Sequence, residues 1–200
     1  MVEENIKKVM TNLAKAFVGE SQARNRYTFY AKIAAKEGFQ GVSEIFLLTA
    51  ENEKEHAKWL MRMLNAIKDK HGFESNKLEN IEGEVPLTLG STVDNLKAAI
   101  EGENFEYTEM YPSFAETAEK EGMQDIADRL RAIAKAEEHH EERFKKILKE
   151  IEGNTIFKKS DKVYWVCGKC GYIHEGEEPP EKCPSCDHPK GYFEIKCEEY

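Results

Sequence analysis

Two Glu-x-x-His pairs are the residues whose types and spacing could most directly do chemistry. They are Glu53 with His56 and Glu137 with His140. Each pair lies in the middle of a helical stripe in which every third or fourth residue is otherwise mostly apolar. Burying a carboxylate and an imidazole among such neighbours costs several kcal/mol unless the groups are paired or bind a metal. The pattern therefore predicts a metal site.

Two further helical segments also place carboxylates on their apolar faces. Glu20 lies on the apolar face of the first segment, and Glu103 and Glu106 lie on that of the third. Glu53 follows Glu20 by 33 residues, and Glu137 follows Glu103 by 34. The sequence therefore indicates two helix pairs with the same ligand pattern. Each pair supplies a Glu and then a Glu-x-x-His, the ligand pattern of carboxylate di-iron and di-manganese bundles. Carboxylate oxygens with one imidazole per metal favour iron or manganese.

The charged residues around the second pair are expected to be surface charge. His139 points about 100° away from His140 around the helix, so we expect it in solvent. The same outer face is expected to hold Glu138, Glu141, Glu142, Arg143 and Lys145. An isolated Glu in a chain with 38 acidic residues is usually a rim residue, and this alternative stays open for Glu106.

Four cysteines form two Cys-x-x-Cys knuckles near the C-terminus. They are Cys167, Cys170, Cys183 and Cys186. In a chain without a signal peptide, such paired spacing indicates a tetrahedral metal-thiolate site rather than disulfides. Tetrahedral sulfur suits either iron or zinc. Cys197 is the odd cysteine and is expected to be a small apolar or surface residue.

The apolar period predicts an all-α four-helix bundle followed by a small β-rich metal domain. The helices are expected over residues 2–36, from 42 to just before 71, from 91 or 92 onwards, and over 124–150. Residues 69–90 have no strong period and form one long crossover, which is the ferritin-like arrangement. Pro112 should kink the third helix or interrupt its hydrogen bonding. The predicted divisions are a bundle at 1–152, a polar linker at 153–162 and a metal domain at 163–200 that begins with a strand at 163–166.

Composition excludes some classes of partner. The formal net charge is -9, which argues against nucleic acid, since a phosphate-binding face needs a basic surplus. The longest apolar stretches fall far short of a membrane span, and residues 1–10 mix charges into their apolar positions. We therefore expect a cytoplasmic protein without a membrane or nucleic-acid partner.

Taken together, these motifs closely resemble those of the rubrerythrin family over essentially the whole chain. The family combines a ferritin-like di-iron domain with a rubredoxin-like domain. Its extra carboxylate matches Glu106, whereas the corresponding position in the first helix pair is Ala23. Tyr27 and Tyr111 match tyrosines that the family places beside the metals.

The resemblance implies a peroxidase that protects against oxidative stress. It would reduce hydrogen peroxide to water, with electrons entering through an Fe(Cys)4 centre from an external rubredoxin or an NAD(P)H-dependent reductase. Glu53 and Glu137 would bridge two iron ions, Glu20 and Glu103 would be terminal ligands, and His140 a constant ligand. The resemblance also implies that His56 and Glu106 exchange at one iron, that Tyr27 and Tyr111 assist catalysis, and that the working unit is a homodimer or larger homo-oligomer.

Three alternatives stay open on the residues alone. A ferritin-like iron oxidase or iron-binding protein would use the same carboxylates. A di-iron oxygenase would need a substrate pocket. In a third alternative the knuckles bind structural zinc and mediate contacts, without a role in electron transfer.

Overall fold

The bundle contains the four long helical segments that the sequence predicts. A computed structural model describes residues 2–197, with side chains from Glu4 onwards. Its helices are α1 (Val2–Lys36), α2 (Gln40–His71), α3 (Thr92–Phe105), a π-helical turn (Glu106–Met110), α4 (Tyr111–Lys120) and α5 (Gln124–Glu152). Because α3, the π turn and α4 follow one another without a break, they form the third segment of the bundle. No helix in the part of the chain described here is long and apolar enough to cross a membrane.

Local signals in the sequence set the helix ends. Gly38, two residues after α1, and Gly72, directly after α2, adopt φ of 86° and 68°, the left-handed region that favours glycine. Ser91 caps α3, and its side chain and that of Asp94 form a reciprocal capping box. The interruption expected from Pro112 is the π turn, which ends two residues before this proline.

Two apolar clusters fill the bundle, one on each side of its middle. The first joins residues 6–16 of α1 to the second half of α2, the whole of α4 and the start of α5. The second joins residues 23–34 of α1 to the first half of α2, to α3 and to the end of α5. On α1, α2, α5 and the third segment, the predicted ligands lie between the two clusters, so the bundle surrounds a polar centre with apolar packing.

The crossover between α2 and α3 runs along α1. Residues 74–90 contain no helix or strand. The hydroxyl of Tyr30 donates to the carbonyl oxygen of Thr88 at 2.9 Å, and the backbone N–H of Thr92 donates to Glu37 Oε2 at 2.9 Å. These contacts attach the end of the crossover to the first helix.

The C-terminal part is a small antiparallel sheet. Its strands are β1 (Val163–Cys167), β2 (Ile173–Gly176) and β3 (Phe193–Ile195), in the order β2-β1-β3. Trp165 is buried with Phe193 and two of the cysteines, and its indole N–H donates to the carbonyl oxygen of Gly176. This core is too small to fold by apolar burial alone, so a bound metal would contribute to its stability.

The segment between α5 and β1 packs against the bundle, which its polar composition does not predict. The ring of Phe157 stacks on that of Phe39 with centroids 6.1 Å apart. Gly191 of the small domain lies so close to the α1–α2 turn that a Cβ there would overlap the carbonyl oxygen of Gly38. The small domain therefore rests against the end of the bundle where α1 meets α2. Whether the predicted domains fold separately stays a prediction.

Gly191→Ala should release the small domain from the bundle, because the added methyl group cannot fit against Gly38. We expect faster limited proteolysis within residues 153–162 while helix content and metal at the four cysteines are retained. Gly168→Ala is the matched control, since a Cβ there would meet Tyr192 at an ordinary 3.5 Å. Equal cleavage rates in the two variants would contradict this contact.

Candidate di-metal and thiolate centres

The structure brings both Glu-x-x-His pairs together in the middle of the bundle. His56 Nδ1 lies 3.1 Å from Glu53 Oε2 and 2.9 Å from Glu137 Oε1. His140 Nδ1 lies 3.3 Å from Glu53 Oε1 and 2.8 Å from Glu137 Oε2. Each of these two carboxylates thus directs one oxygen to each histidine. A carboxylate placed in this way can bridge two cations.

Two tyrosines orient the outer carboxylates. The hydroxyl of Tyr111 donates to Glu20 Oε1, and that of Tyr27 donates to Glu103 Oε1. The second oxygen of each carboxylate is buried without a hydrogen-bond partner. Each tyrosine therefore fixes one oxygen of its glutamate and leaves the other available.

The π turn preserves this arrangement across the two helix pairs. Tyr27 follows Glu20 by seven residues, whereas Tyr111 follows Glu103 by eight. The backbone N–H of Tyr111 donates to the carbonyl oxygen of Glu106, a bond across five residues instead of four. The wider turn accommodates one extra residue, so both tyrosines reach a carboxylate of the other helix pair.

Glu106 is not part of either compact ligand set and lies beside an open groove. Two ligand sets have atoms within 4.8 Å of one another: Glu20, Glu53, His56 and Glu137, and Glu53, Glu103, Glu137 and His140. Glu106 belongs to neither set, but its Oε1 would lie 3.8 Å from a Cβ at Gly19 on α1. It lines a groove of about 1000 Å³ between the crossover, α1 and the third segment.

Burial and nearby negative charges raise the pKa values of three carboxylates of the centre, Glu20, Glu103 and Glu106. For Glu53, contacts with His140 and His56 outweigh burial and lower the pKa. Burial, together with the charge of Glu137, raises the pKa of Glu20 well above its usual value. Burial and the charge of Glu20 do the same for the pKa of Glu106. For Glu103, burial raises the pKa to about 8. The centre therefore holds more negative charge than its interior can stabilise without added cations.

The surrounding carboxylates also raise the pKa values of the two histidines, which favours their protonated form. Burial would lower the pKa of His140, but the nearby carboxylates of Glu103, Glu137 and Glu53 outweigh it and raise this pKa to about 12. Burial likewise opposes protonation of His56, but its pKa is raised by the same kind of contact, with Glu137 first among its partners. In the absence of metal the imidazolium groups would supply the cations.

The donor set fits two metal ions. Six candidate ligands each keep at least one buried oxygen or Nδ1 atom without a hydrogen-bond partner: Glu20, Glu53, His56, Glu103, Glu137 and His140. Buried polar atoms are rarely left unsatisfied in folded proteins. Coordination of two cations would satisfy them, and oxygen with imidazole is a donor set that iron accepts.

The four knuckle cysteines also converge on one point. The Sγ atoms of Cys167 and Cys186 lie 3.8 Å apart, and those of Cys170 and Cys183 lie 3.6 Å apart. The backbone N–H of Tyr172, together with hydrogen bonds from neighbouring side chains, lowers the pKa of Cys170 to about 6, which favours the thiolate that a metal requires. The fifth cysteine, Cys197, is exposed and lies outside the cluster.

Two residues predicted as surface charge are buried or half-buried. Glu141 is 3% exposed and accepts hydrogen bonds from Asn104 Nδ2 at 3.0 Å and from Lys145 Nζ at 2.6 Å. Arg143 is half-buried and donates from Nη2 to Thr49 Oγ1 at 2.7 Å. The prediction was wrong for both because α5 packs against α3 as well as α2, which widens its buried face. His139, in contrast, is exposed as predicted.

Comparison with known proteins covers both parts of the chain. The family model described as Rubrerythrin matches residues 11–148, and the one described as Rubrerythrin, rubredoxin-like domain, matches residues 165–194. A putative rubrerythrin of Methanocaldococcus jannaschii is 62% identical, with 98% of this chain and 96% of the relative aligned. Rubrerythrin of Nitratidesulfovibrio vulgaris is 44% identical over 92% of both chains.

Solved structures agree on the architecture. The fully reduced, all-ferrous state of nigerythrin matches with a TM-score of 0.62 at 30% identity, covering 94% of this chain and 86% of that one. A bacterioferritin of Desulfovibrio desulfuricans matches with a TM-score of 0.65 at 19% identity, over 76% and 85% of the two chains, and this likeness concerns the fold alone. The predicted ferritin-like fold is confirmed.

The two kinds of ligand cluster agree with the sequence comparisons. Rubrerythrins have a di-iron site and a rubredoxin-like four-cysteine site, and this chain has a carboxylate–histidine cluster and a four-cysteine cluster in the matching regions. The two family models and two relatives that align over nearly the whole chain are described as rubrerythrins. The chain belongs to the rubrerythrin family.

Proposed function

We propose that the chain is a non-haem di-iron peroxidase that reduces hydrogen peroxide to water. The reaction consumes one peroxide, two protons and two electrons and yields two water molecules. The observation that carries the proposal is the sharing of Glu53 and Glu137, each of which directs one oxygen to His56 and the other to His140. This arrangement would hold two irons side by side on one chain that also carries a thiolate cluster.

The protein residues have separable roles in this proposal. Two bound ferrous ions would supply one electron each, so that the O–O bond is cleaved without release of a hydroxyl radical. Glu53 and Glu137 keep the two positions adjacent. Tyr27 and Tyr111 hold Glu103 and Glu20 in place through their hydroxyl groups. The apolar clusters on both sides keep bulk water out of the centre.

The groove beside Glu106 is the proposed entry route for peroxide. It lies between residues 82–88 of the crossover, α1 and the third segment. Glu106 is 9% exposed and forms part of the groove wall next to Gly19. A small polar molecule in this groove would therefore meet the Glu106 carboxylate before it reaches Glu20, which is fully buried.

Electrons are proposed to enter through iron at the four cysteines, from an external rubredoxin or an NAD(P)H-dependent reductase. The small domain contacts the bundle at Gly38, next to the start of α2. Glu53 follows Gln40 by 13 residues along α2, which is about 20 Å at 1.5 Å per residue. A partner chain arranged head to tail would bring a four-cysteine site closer to the other bundle, so we propose a homodimer as the working unit.

Loss of a shared carboxylate should empty the bundle of iron. Glu53→Ala or Glu137→Ala removes a charge that would serve both positions, so bundle iron should fall well below two per chain while iron at the cysteines remains. Metal analysis with separate quantification of the thiolate site measures this. Glu138→Ala, one position along on the exposed face, is the matched control. Two bundle irons in either variant would refute the bridging roles.

Loss of one thiolate should stop turnover without affecting the bundle. Cys170→Ser should abolish or distort the Fe(Cys)4 centre, and peroxidase turnover with a reductant that acts on this centre should collapse. Cys197→Ser, outside the cluster, should turn over normally. A chemically pre-reduced Cys170→Ser protein should still consume one peroxide per bundle. Failure of this single turnover would show that the two centres are not independent.

His56 and Glu106 are proposed to exchange as ligands of the same iron. Ferric iron is harder and favours a carboxylate, whereas ferrous iron accepts imidazole. Glu106→Ala should therefore retain ferrous iron better than ferric iron, and His56→Ala should slow oxidation by peroxide more than it lowers total iron. Stopped-flow absorbance and metal analysis measure the two effects. Identical iron ligands in structures of the oxidised and reduced protein would disprove the exchange.

A further inference from the structure

Arg143 is a half-buried cation beside one half of the carboxylate centre. It follows His140 by three residues on α5, and its Nη2 donates to Thr49 Oγ1 at 2.7 Å. Thr49 is fully buried and precedes Glu53 by one helical turn. The Nε atom of Arg143 is buried without a hydrogen-bond partner. The guanidinium group is therefore held in place at the interface of α2 and α5.

Arg143 lies on the half that contains His140 and Glu103, because it follows His140 by about one turn on α5. Burial lowers the pKa of Arg143, and the charges of Glu103 and Glu53 act in the opposite direction. An arginine side chain stays protonated in proteins, so this position carries a fixed positive charge. Because Arg143 is half-buried and Glu103 and Glu53 are each 1% exposed, its charge is screened less from these ligands than a surface charge would be.

The internal duplication of the chain shows that the other half differs. Arg143 follows His140 by three residues, and the residue that follows His56 by three is Trp59. The position equivalent to Thr49, four residues before Glu137, is Ile133. Two arginines do stack on the Trp59 ring, Arg129 at 3.7 Å and Arg62 at 4.8 Å, but both are exposed. One half thus has a Thr–Arg pair where the other has an Ile–Trp pair.

A second difference between the halves also makes the half with Glu20 and His56 the more negative one. The half with Glu20 and His56 gains a further carboxylate, Glu106, whose matching position in α1 is Ala23. The half with Glu103 and His140 gains the guanidinium of Arg143 instead. One metal position is therefore more negative than the other, although both share Glu53 and Glu137.

We propose that Arg143 makes the two metal positions unequal, so that one-electron oxidation places the ferric ion at the position of Glu20, His56 and Glu106. This inference rests on the di-iron site of the proposed function. Loss of one electron from a diferrous pair leaves one ferric and one ferrous ion, and the higher charge is favoured where the surroundings are more negative. Arg143 disfavours that charge beside Glu103. The position that oxidises first is then the one next to the groove.

Equilibrium redox titration of the full-length protein, loaded with iron at both centres, tests the role of Arg143. The electron acceptor is ferricyanide and the donor dithionite, and electron paramagnetic resonance measures the one-electron-oxidised pair. Arg143→Met removes the charge and keeps an unbranched side chain. We expect the equilibrium constant that favours the one-electron-oxidised pair to fall by about threefold or more, the size expected for one weakly screened charge. Arg143→Lys should restore it, and Arg62→Met, which removes an exposed arginine, should not change it.

The direction of the change decides the assignment. An unchanged constant in Arg143→Met would overturn the proposal, and an increase would also overturn it by placing the ferric ion beside His140. Arg143→Gln, which keeps a hydrogen-bond donor for Thr49, replaces Arg143→Met if the latter fails to load two irons. Peroxidase activity with an unchanged constant would refute this inference alone. A redox-active pair without peroxidase activity would refute the proposed function alone, and a native chain that binds no iron pair would refute both.

Discussion

The structure depends on the burial of a dense group of carboxylates inside an apolar bundle. Glu20, Glu53, Glu103 and Glu137 are each at most 1% exposed, and they lie between two apolar clusters that contain all the helices of the bundle. Without cations this arrangement is unfavourable, because burying several carboxylates close together costs desolvation free energy and brings like charges together. The apolar clusters offset the free energy cost of burying the carboxylates. Bound metal ions would neutralise the negative charge that these carboxylates bring together.

The duplicated design is informative mainly where its two halves differ. Both halves supply a Glu, a Glu-x-x-His and a tyrosine, but only the second contains the π turn and the additional Glu106. The extra residue of the π turn keeps Tyr111 in register with Glu20 while Glu106 remains on the groove side. A nearly symmetric scaffold thus acquires one accessible, more negative side without loss of the shared bridging positions.

Sequence periodicity predicts the helices and the convergence of the ligands because both follow from which side of a helix a residue occupies. Glu53, His56, Glu137 and His140 could be found in this way, as could the four cysteines from their spacing. Periodicity does not give the width of the buried face, and Glu141 and Arg143 were misplaced for that reason. The docking of Phe157 on Phe39 was also missed, since contacts between distant segments leave no local pattern. The sequence contains one indication that Arg143 is half-buried, which is its position one helical turn after the predicted ligand His140.

Burial alone does not distinguish a metal ligand from a structural charge. Glu141 is as deeply buried as His140, its neighbour in the chain, at 3% exposure each. The carboxylate of Glu141 accepts hydrogen bonds from Asn104 and Lys145, so its charge is balanced within the protein. The oxygens of Glu53 and Glu137 lie near the two histidines, but they accept no hydrogen bond from any residue that the structure describes. Evolution of a stable fold would remove such unpaired groups unless they bind something, so the unsatisfied oxygens, more than their depth, identify the centre that needs metal.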